Sequence, residues 1–283
     1  MSITEKVQLL GAGLYSDGIP NELTLTAIPT ASELDYVGAE DFHEVMLTKI
    51  LPQCIEEPIN PKALLEMDYY WVLRCLRIIN YGPYIKVNGI YCSDCDTASE
   101  GEYLVDLRTV ECNPIPQGFE NKLTISKDNF ISFNQDIEIK LPTIQEIQNS
   151  TKDKQFKDAM GRVNRRFARI CYVIRKIGGQ PVDPVTVRLR LQKELEPADY
   201  AILQDEIRNL DNYGLRSGGT VKCPACGGPN GHFITFIDER FFRPDMDCLR
   251  KWRDDRNKRK DEDVPGTEAG SVQGNTRRDR IHS

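Results

Sequence analysis

Two Cys-x-x-Cys pairs, Cys92-Ser93-Asp94-Cys95 and Cys223-Pro224-Ala225-Cys226, lie far apart in the chain and constrain its folding more than any other feature. Two thiols presented from one tight turn make half of a tetrahedral zinc site, and two such turns complete it. The chain holds nine cysteines and opens MSITEKVQLL, with no basic segment leading into an apolar one. Reduced thiols open to metal are therefore expected, rather than a disulfide framework. One structural zinc bridging Cys92, Cys95, Cys223 and Cys226 is the leading expectation. The spacing also allows the first pair to recruit Cys112 and the second His232, or the cysteines of either pair to be small buried residues. A thioredoxin-like role fits poorly, because neither pair opens a helix after a strand.

With 283 residues, 40% of them hydrophobic and 28% charged, the chain has the composition of a folded globular protein. No apolar run reaches the roughly 18 residues that would span a membrane. The net charge of −6 is uneven. Residues 1–100 carry a net −9, whereas residues 152–176 carry a net +7. That basic stretch suits either nucleic acid or a solvated, partner-facing helix side, and the acidic remainder favours the second.

The hydrophobic spacing predicts an α+β fold. A short strand at 23–27 precedes a helix over 39–51, stopped by Pro52, and a central core helix over 61–80. A hairpin follows, with Ile85, Val87 and Ile90 on one arm, Tyr103, Val105 and Leu107 on the other, and Cys92 and Cys95 at its tip. A second β-rich stretch covers 123–141. Phe156, Met160, Val163, Phe167, Ile170, Ile174 and Ile177 are spaced as a heptad seam and predict one long helix closed by Gly178-Gly179. Tyr200, Leu203, Ile207 and Leu210 predict a shorter acidic helix, so the two would form an antiparallel pair or an oligomeric coiled coil. From 218 the pattern returns to strand, giving a second, zinc-ribbon-like hairpin around Cys223 and Cys226. The expected units are a mixed N-terminal domain (1–145), a helical hairpin with the second cysteine hairpin (146–248), and a charged disordered tail (249–283) dispensable for folding.

Chemistry beyond the cysteines is sparse. Three histidines, His43, His232 and His282, leave little for general base catalysis, and no nucleophile elbow, zinc-protease or phosphate-loop motif is present. Cys54, Cys75 and Cys171 read as core residues, Cys248 as a spare thiol and Glu56-Glu57 as solvated loop charges.

Several segments together resemble one family. Leu14-Tyr15, Ile19-Pro20 and Leu23-Thr24-Leu25 run into Thr30-Ala31-Ser32-Glu33. Asp68-Tyr69, Leu73-Arg74 and Leu76-Arg77 run to Tyr81-Gly82, and Cys92 to Cys95 is followed by Val105-Asp106-Leu107. With Lys140-Leu141-Pro142-Thr143, Leu210 to Leu215, Cys223 to Gly227 and Phe241-Phe242-Arg243-Pro244, these resemble the baseplate hub family of T-even-like contractile phage tails. The resemblance covers roughly residues 12–247 and rests on short motifs. It implies a non-enzymatic protein that builds the hub or stays in it, found in the host cytoplasm during assembly or in the virion baseplate. Its partners would be other tail and baseplate proteins, with self-association through the 156–177 seam as a further option. The family does not use both cysteine pairs uniformly, so the zinc expectation rests on their spacing rather than on the resemblance. The rival expectation is a zinc-ribbon regulator binding nucleic acid through Arg162, Arg165, Arg166 and Arg169; a metal-dependent enzyme would need an open coordination position that four cysteines do not leave.

Overall fold

A computed structural model describes residues 4–15, 18–92, 94–95, 102–157, 160–216, 218–223, 225–234, 239–243 and 245–262. The fold is α+β, with small antiparallel sheets among helices.

Strands β1 (Thr4–Gln8) and β2 (Glu22–Thr26) pair with Val7 opposite Leu23. The alternation expected at 23–27 holds, since Leu23 and Leu25 point into the core. After α1 (Thr30–Tyr36) comes a helical stretch made of α2 (Phe42–Val45), a π-helical turn (Met46–Ile50) and α3 (Leu51–Cys54). Pro52 does not stop it. It sits in the first turn of α3, where its missing N–H removes no bond that the restarted helix needs. The central helix α4 (Glu66–Tyr81) buries Tyr69, Val72, Leu73 and Leu76 and ends at Gly82, whose φ of +77° is a conformation few other residues adopt readily.

The hairpin after α4 joins β3 (Tyr84–Cys92) to β4 (Glu102–Asp106). Then follow β5 (Cys112–Asn113), β6 (Leu123–Ile125), β7 (Ile137–Ile139) and α5 (Ile144–Lys152), which opens with a capping box between Thr143 and Glu146.

The long helix expected from the heptad spacing is not formed. Its first residues make a 3₁₀ turn, Lys154–Phe156, and a bridge between Lys157 and Val163 follows. Met160 is 78% exposed. Helix α6 spans only Arg165–Val173, capped by Asn164, whose side chain accepts the Phe167 N–H at 3.0 Å. Ile174 then begins strand β8 (Ile174–Ile177), which turns through Gly178-Gly179 into β9 (Gln180–Pro181). A spacing of 170, 174 and 177 suits one helix face. The β-branched run Val173-Ile174 also suits a strand, and pairing of Ile174 with Ile139 and of Ile177 with Ile137 decides for the strand. A coiled coil through residues 156–177 thus has no continuous helix to rest on.

Helix α7 (Pro184–Glu194) was not anticipated, although Asp183 followed by Pro184 is a helix-start signal; the Asp183 carboxylate caps the N–H groups of Val185 and Thr186. Helix α8 (Pro197–Asp211) is the expected acidic one. It meets α6 through Phe167 and Tyr200, ring centroids 6.1 Å apart. The basic stretch finds carboxylates within the chain: Lys152 pairs with Asp41 and Glu44, Arg169 with Glu66, and Lys176 with Glu138. After β10 (Gly214–Leu215), the strands β11 (Gly218–Lys222) and β12 (Pro229–Phe233) form the second cysteine hairpin.

The segment after Cys248 is partly a helix, which corrects the expectation of a disordered tail beginning at 249. Helix α9 (Met246–Glu262) buries Cys248 and lays Trp252 over Gly82 so closely that a Cβ there would lie 2.5 Å from the indole. Positions 248, 252 and 255 share one face, and Asp255 accepts the Tyr84 hydroxyl. Residues 263–283, where the rest of the expected tail falls, lie outside the described residues.

Two hydrophobic clusters hold these elements together, and both draw on residues from either side of position 145. One packs β1, β2, α1–α4 and the β3–β4 hairpin against Ile234, Phe241 and Phe242. The other packs Leu65 and Met67 against β6–β8 and α6–α8. Arg77, 1% exposed, ties the C-terminal segment in by donating to the carbonyls of Phe241, Gly82 and Tyr84 at 2.8, 2.8 and 3.1 Å. Among the described residues, no helix is long and apolar enough to cross a membrane.

Candidate metal centre

Strand β3 is nine residues long and bonds on both sides. One side carries β4; the other carries β12, with Cys92 opposite Asn230 and Gly89 opposite His232. The two cysteine hairpins are therefore one four-stranded sheet in the order β11-β12-β3-β4. This join sets Cys92, the last residue of β3, beside the turn between β11 and β12.

That turn is built as a knuckle. The Cys223 N–H donates to the Gly228 carbonyl at 2.7 Å, and the Gly227 N–H returns to the Cys223 carbonyl at 2.8 Å. Gly227 adopts φ of +75°, and the Gly228 N–H points at Cys226 Sγ, 3.4 Å away. Such N–H donors offset the negative charge of a thiolate. The first tip closes against this one: a Cβ on Gly228 would run into the carboxylate of Asp94 and push that side chain aside.

All four sulfurs lie within 4.8 Å of one another. Cys92 Sγ is 3.5 Å from Cys226 Sγ, and Cys95 Sγ is 3.8 Å from Cys223 Sγ, pairs 134 and 128 positions apart in sequence. Sulfurs each about 2.3 Å from a zinc ion define a tetrahedron with edges of about 3.8 Å, so the donor set fits this ion in number, type and spacing. Cys92 and Cys223 are buried, Cys95 is half-buried and Cys226 is exposed. The Gly228 N–H draws the Cys226 thiol down, but the crowding sulfurs of Cys92, Cys95 and Cys223 and burial together push it up to about 12. Four thiolates cannot share this space without a cation to compensate them.

Of the other candidate residues, Cys112 sits in β5, paired with β10, and the His232 backbone is in β12, in register with Gly89, its side chain lying outside the described residues. Cys54, Cys75 and Cys171 are core residues, as expected, with burial pushing their thiols up to about 11, 12 and 12. Cys248 is no spare thiol but a fully buried one, pushed up to about 11 by burial. His43 places Nδ1 2.8 Å from the Tyr69 hydroxyl, and burial lowers its pKa. Glu57 is more than a solvated charge, because its carboxylate accepts the Thr24 N–H at 2.8 Å.

Two buried carboxylates had no sequence signal beyond their placement in helices. Asp68 accepts from the N–H groups of Leu10 and Gly11 and from the Tyr15 hydroxyl at 2.6, 3.1 and 2.5 Å. Asp199 accepts from the N–H groups of Ile131, Ser132 and Phe133 at 2.5, 3.0 and 2.9 Å and from the Ser132 hydroxyl at 2.6 Å. Each pins a loop to a helix start. No family model, curated protein or solved structure matches the chain.

Proposed function

We propose that this chain is a non-enzymatic protein of the baseplate hub of a contractile phage tail, acting in hub assembly or as a hub component, with a structural zinc ion held by Cys92, Cys95, Cys223 and Cys226. The observation that carries the metal assignment is the convergence of four sulfurs from two hairpins distant in sequence. Four thiolates fill all the positions of a tetrahedral zinc, so the ion would fasten the β3–β4 and β11–β12 hairpins rather than activate water. The tail assignment is supported by the resemblance of residues 12–247 to the hub family, and its partners would be other tail and baseplate proteins. It would work in the host cytoplasm during assembly or in the virion baseplate.

The rival, a zinc-ribbon regulator of nucleic acid, draws on exposed Arg165 and Arg166 in the first turn of α6. The experiment that separates the two is complementation of a phage lacking this gene. Restoration of contractile tails by the wild-type chain supports the hub assignment, and normal tails without the gene overturn it. Metal analysis of untagged protein tests the zinc, which metal-free protein of full stability would exclude.

A further inference from the structure

The four sulfurs differ in exposure, and so in how readily an oxidant reaches them. Cys226 is open to solvent while Cys92, 3.5 Å from it across the hairpin boundary, is buried. The second cross-hairpin pair has the same character in weaker form, with half-buried Cys95 3.8 Å from buried Cys223. A small oxidant therefore reaches Cys226 first, and a second sulfur already stands within reach of it.

We propose that the site is a peroxide-sensitive joint in which Cys226 is the sulfur oxidised first and Cys92 the sulfur that resolves it, so that loss of the metal leaves a disulfide between the hairpins. This rests on the metal assignment above. The Cys226 thiolate attacks one oxygen of hydrogen peroxide; the O–O bond breaks, and a sulfenic acid and hydroxide result. The Cys92 thiolate then attacks the Cys226 sulfur and displaces hydroxide, forming the S–S bond. Two thiolates lose two electrons in total, one peroxide gains them, and two protons complete two waters. Reaching a bond of about 2.05 Å requires each sulfur to move by less than about 1 Å. The metal, left with Cys95 and Cys223 alone, dissociates, and a second peroxide can join those two sulfurs in the same way.

The backbone favours pairing across the boundary. Cys92 is fixed by the β3–β12 ladder opposite Asn230, four positions beyond Cys226, and the knuckle bonds of Cys223, Gly227 and Gly228 hold the turn that presents Cys226. A disulfide there exchanges one fastening of the two hairpins for another, and a thiol reductant with zinc would restore the first.

The test is to treat the zinc-loaded full chain with hydrogen peroxide, follow released zinc with a chromogenic chelator, and map disulfides by mass spectrometry of non-reduced peptides. Zinc release in step with a Cys92–Cys226 linked peptide is expected. Disulfides confined to Cys92–Cys95 and Cys223–Cys226, or zinc release without a disulfide, would overturn the proposal. Cys226→His keeps four ligands but removes the exposed sulfur, so zinc release by peroxide should slow several-fold; an unchanged rate would count against Cys226 as the sensor. If the purified protein held no zinc, the metal assignment would fail by itself. Diamide oxidation of that metal-free protein would still show whether Cys92 and Cys226 pair.

Discussion

At Cys223 a serine would replace one of four thiolates and leave the other three crowded around an incomplete site. Cys223→Ser should lower the zinc content well below the expected one per chain and lower the melting temperature with it, read by metal analysis and circular dichroism. The two buried carboxylates give opposite pH signatures. Burial pushes the Asp199 carboxyl up, but the Ser132 hydroxyl and the three backbone N–H groups outweigh it, and its pKa lies below the ordinary carboxylate range. Its stabilisation is then complete above about pH 3.9, the unfolded value, and is lost as pH falls through the native value. Asp199→Asn should lower the urea midpoint at neutral pH and flatten that acid limb. For Asp68, burial dominates and raises the pKa despite its three donors. Its contribution therefore declines as pH rises from the unfolded value to the raised native one. Asp68→Ala, which strands the N–H groups of Leu10 and Gly11, should cost about 2–4 kcal/mol in urea denaturation. The cysteine quartet was legible in the sequence because thiolate chemistry has a recognisable spacing. Asp68 and Asp199 were not, because a carboxylate in the first turn of a helix looks the same whether it faces water or a neighbouring loop.

Among the elements, α9 gives the segment after Cys248 contacts with the core that a dispensable tail would lack. Trp252 covers Gly82, and Lys251 Nζ lies 4.8 Å from the centre of the Tyr84 ring. Trp252→Ala should cost about 1–2 kcal/mol, and Gly82→Ala, which meets both a positive φ and the indole, about 2–4 kcal/mol, each measured by chemical denaturation. Chain deletion from residue 250 should destabilise likewise. The basic helix α6 is expected to serve packing, with its inner face of Ala168, Ile170, Cys171 and Val173 buried. Binding to duplex DNA or RNA at physiological salt should then stay within the non-specific range of roughly 10⁻⁴ to 10⁻⁶ M. Tighter binding that disappears in an Arg165→Ala, Arg166→Ala double variant would favour the regulator instead. Element identity was well marked where periodicity and flanking signals agreed, as in α4, α8 and both cysteine hairpins. It failed at residues 156–177, where one apolar spacing served a turn, a helix and a strand in succession.

For the molecule as a whole, the sheet β11-β12-β3-β4 links two hairpins more than 100 positions apart in the chain, so metal removal should be felt in both at once. Chelation of the zinc-loaded protein should increase amide hydrogen exchange in β3 and in β11–β12 together, while β6–β9, in the other cluster, keep their protection. Loosening of only one hairpin would mean that the four cysteines do not act as one site.

The α+β class, the two cysteine-tipped hairpins, the central helix and the residue types of a thiolate metal site are readable from local sequence. These depend on local periodicity, turn chemistry and ligand spacing, all of which are written within a few residues of one another. Tertiary structure alone decided that Cys92 and Cys226 meet, that Ile174 is strand rather than helix, and that Trp252 has a place to dock. Each of these depends on a partner more than 30 positions away, β12 for β3, Ile139 for Ile174 and Gly82 for Trp252. Local spacing leaves such pairings open, because hydrophobic burial rewards any partner face that excludes water and only the assembled chain selects one.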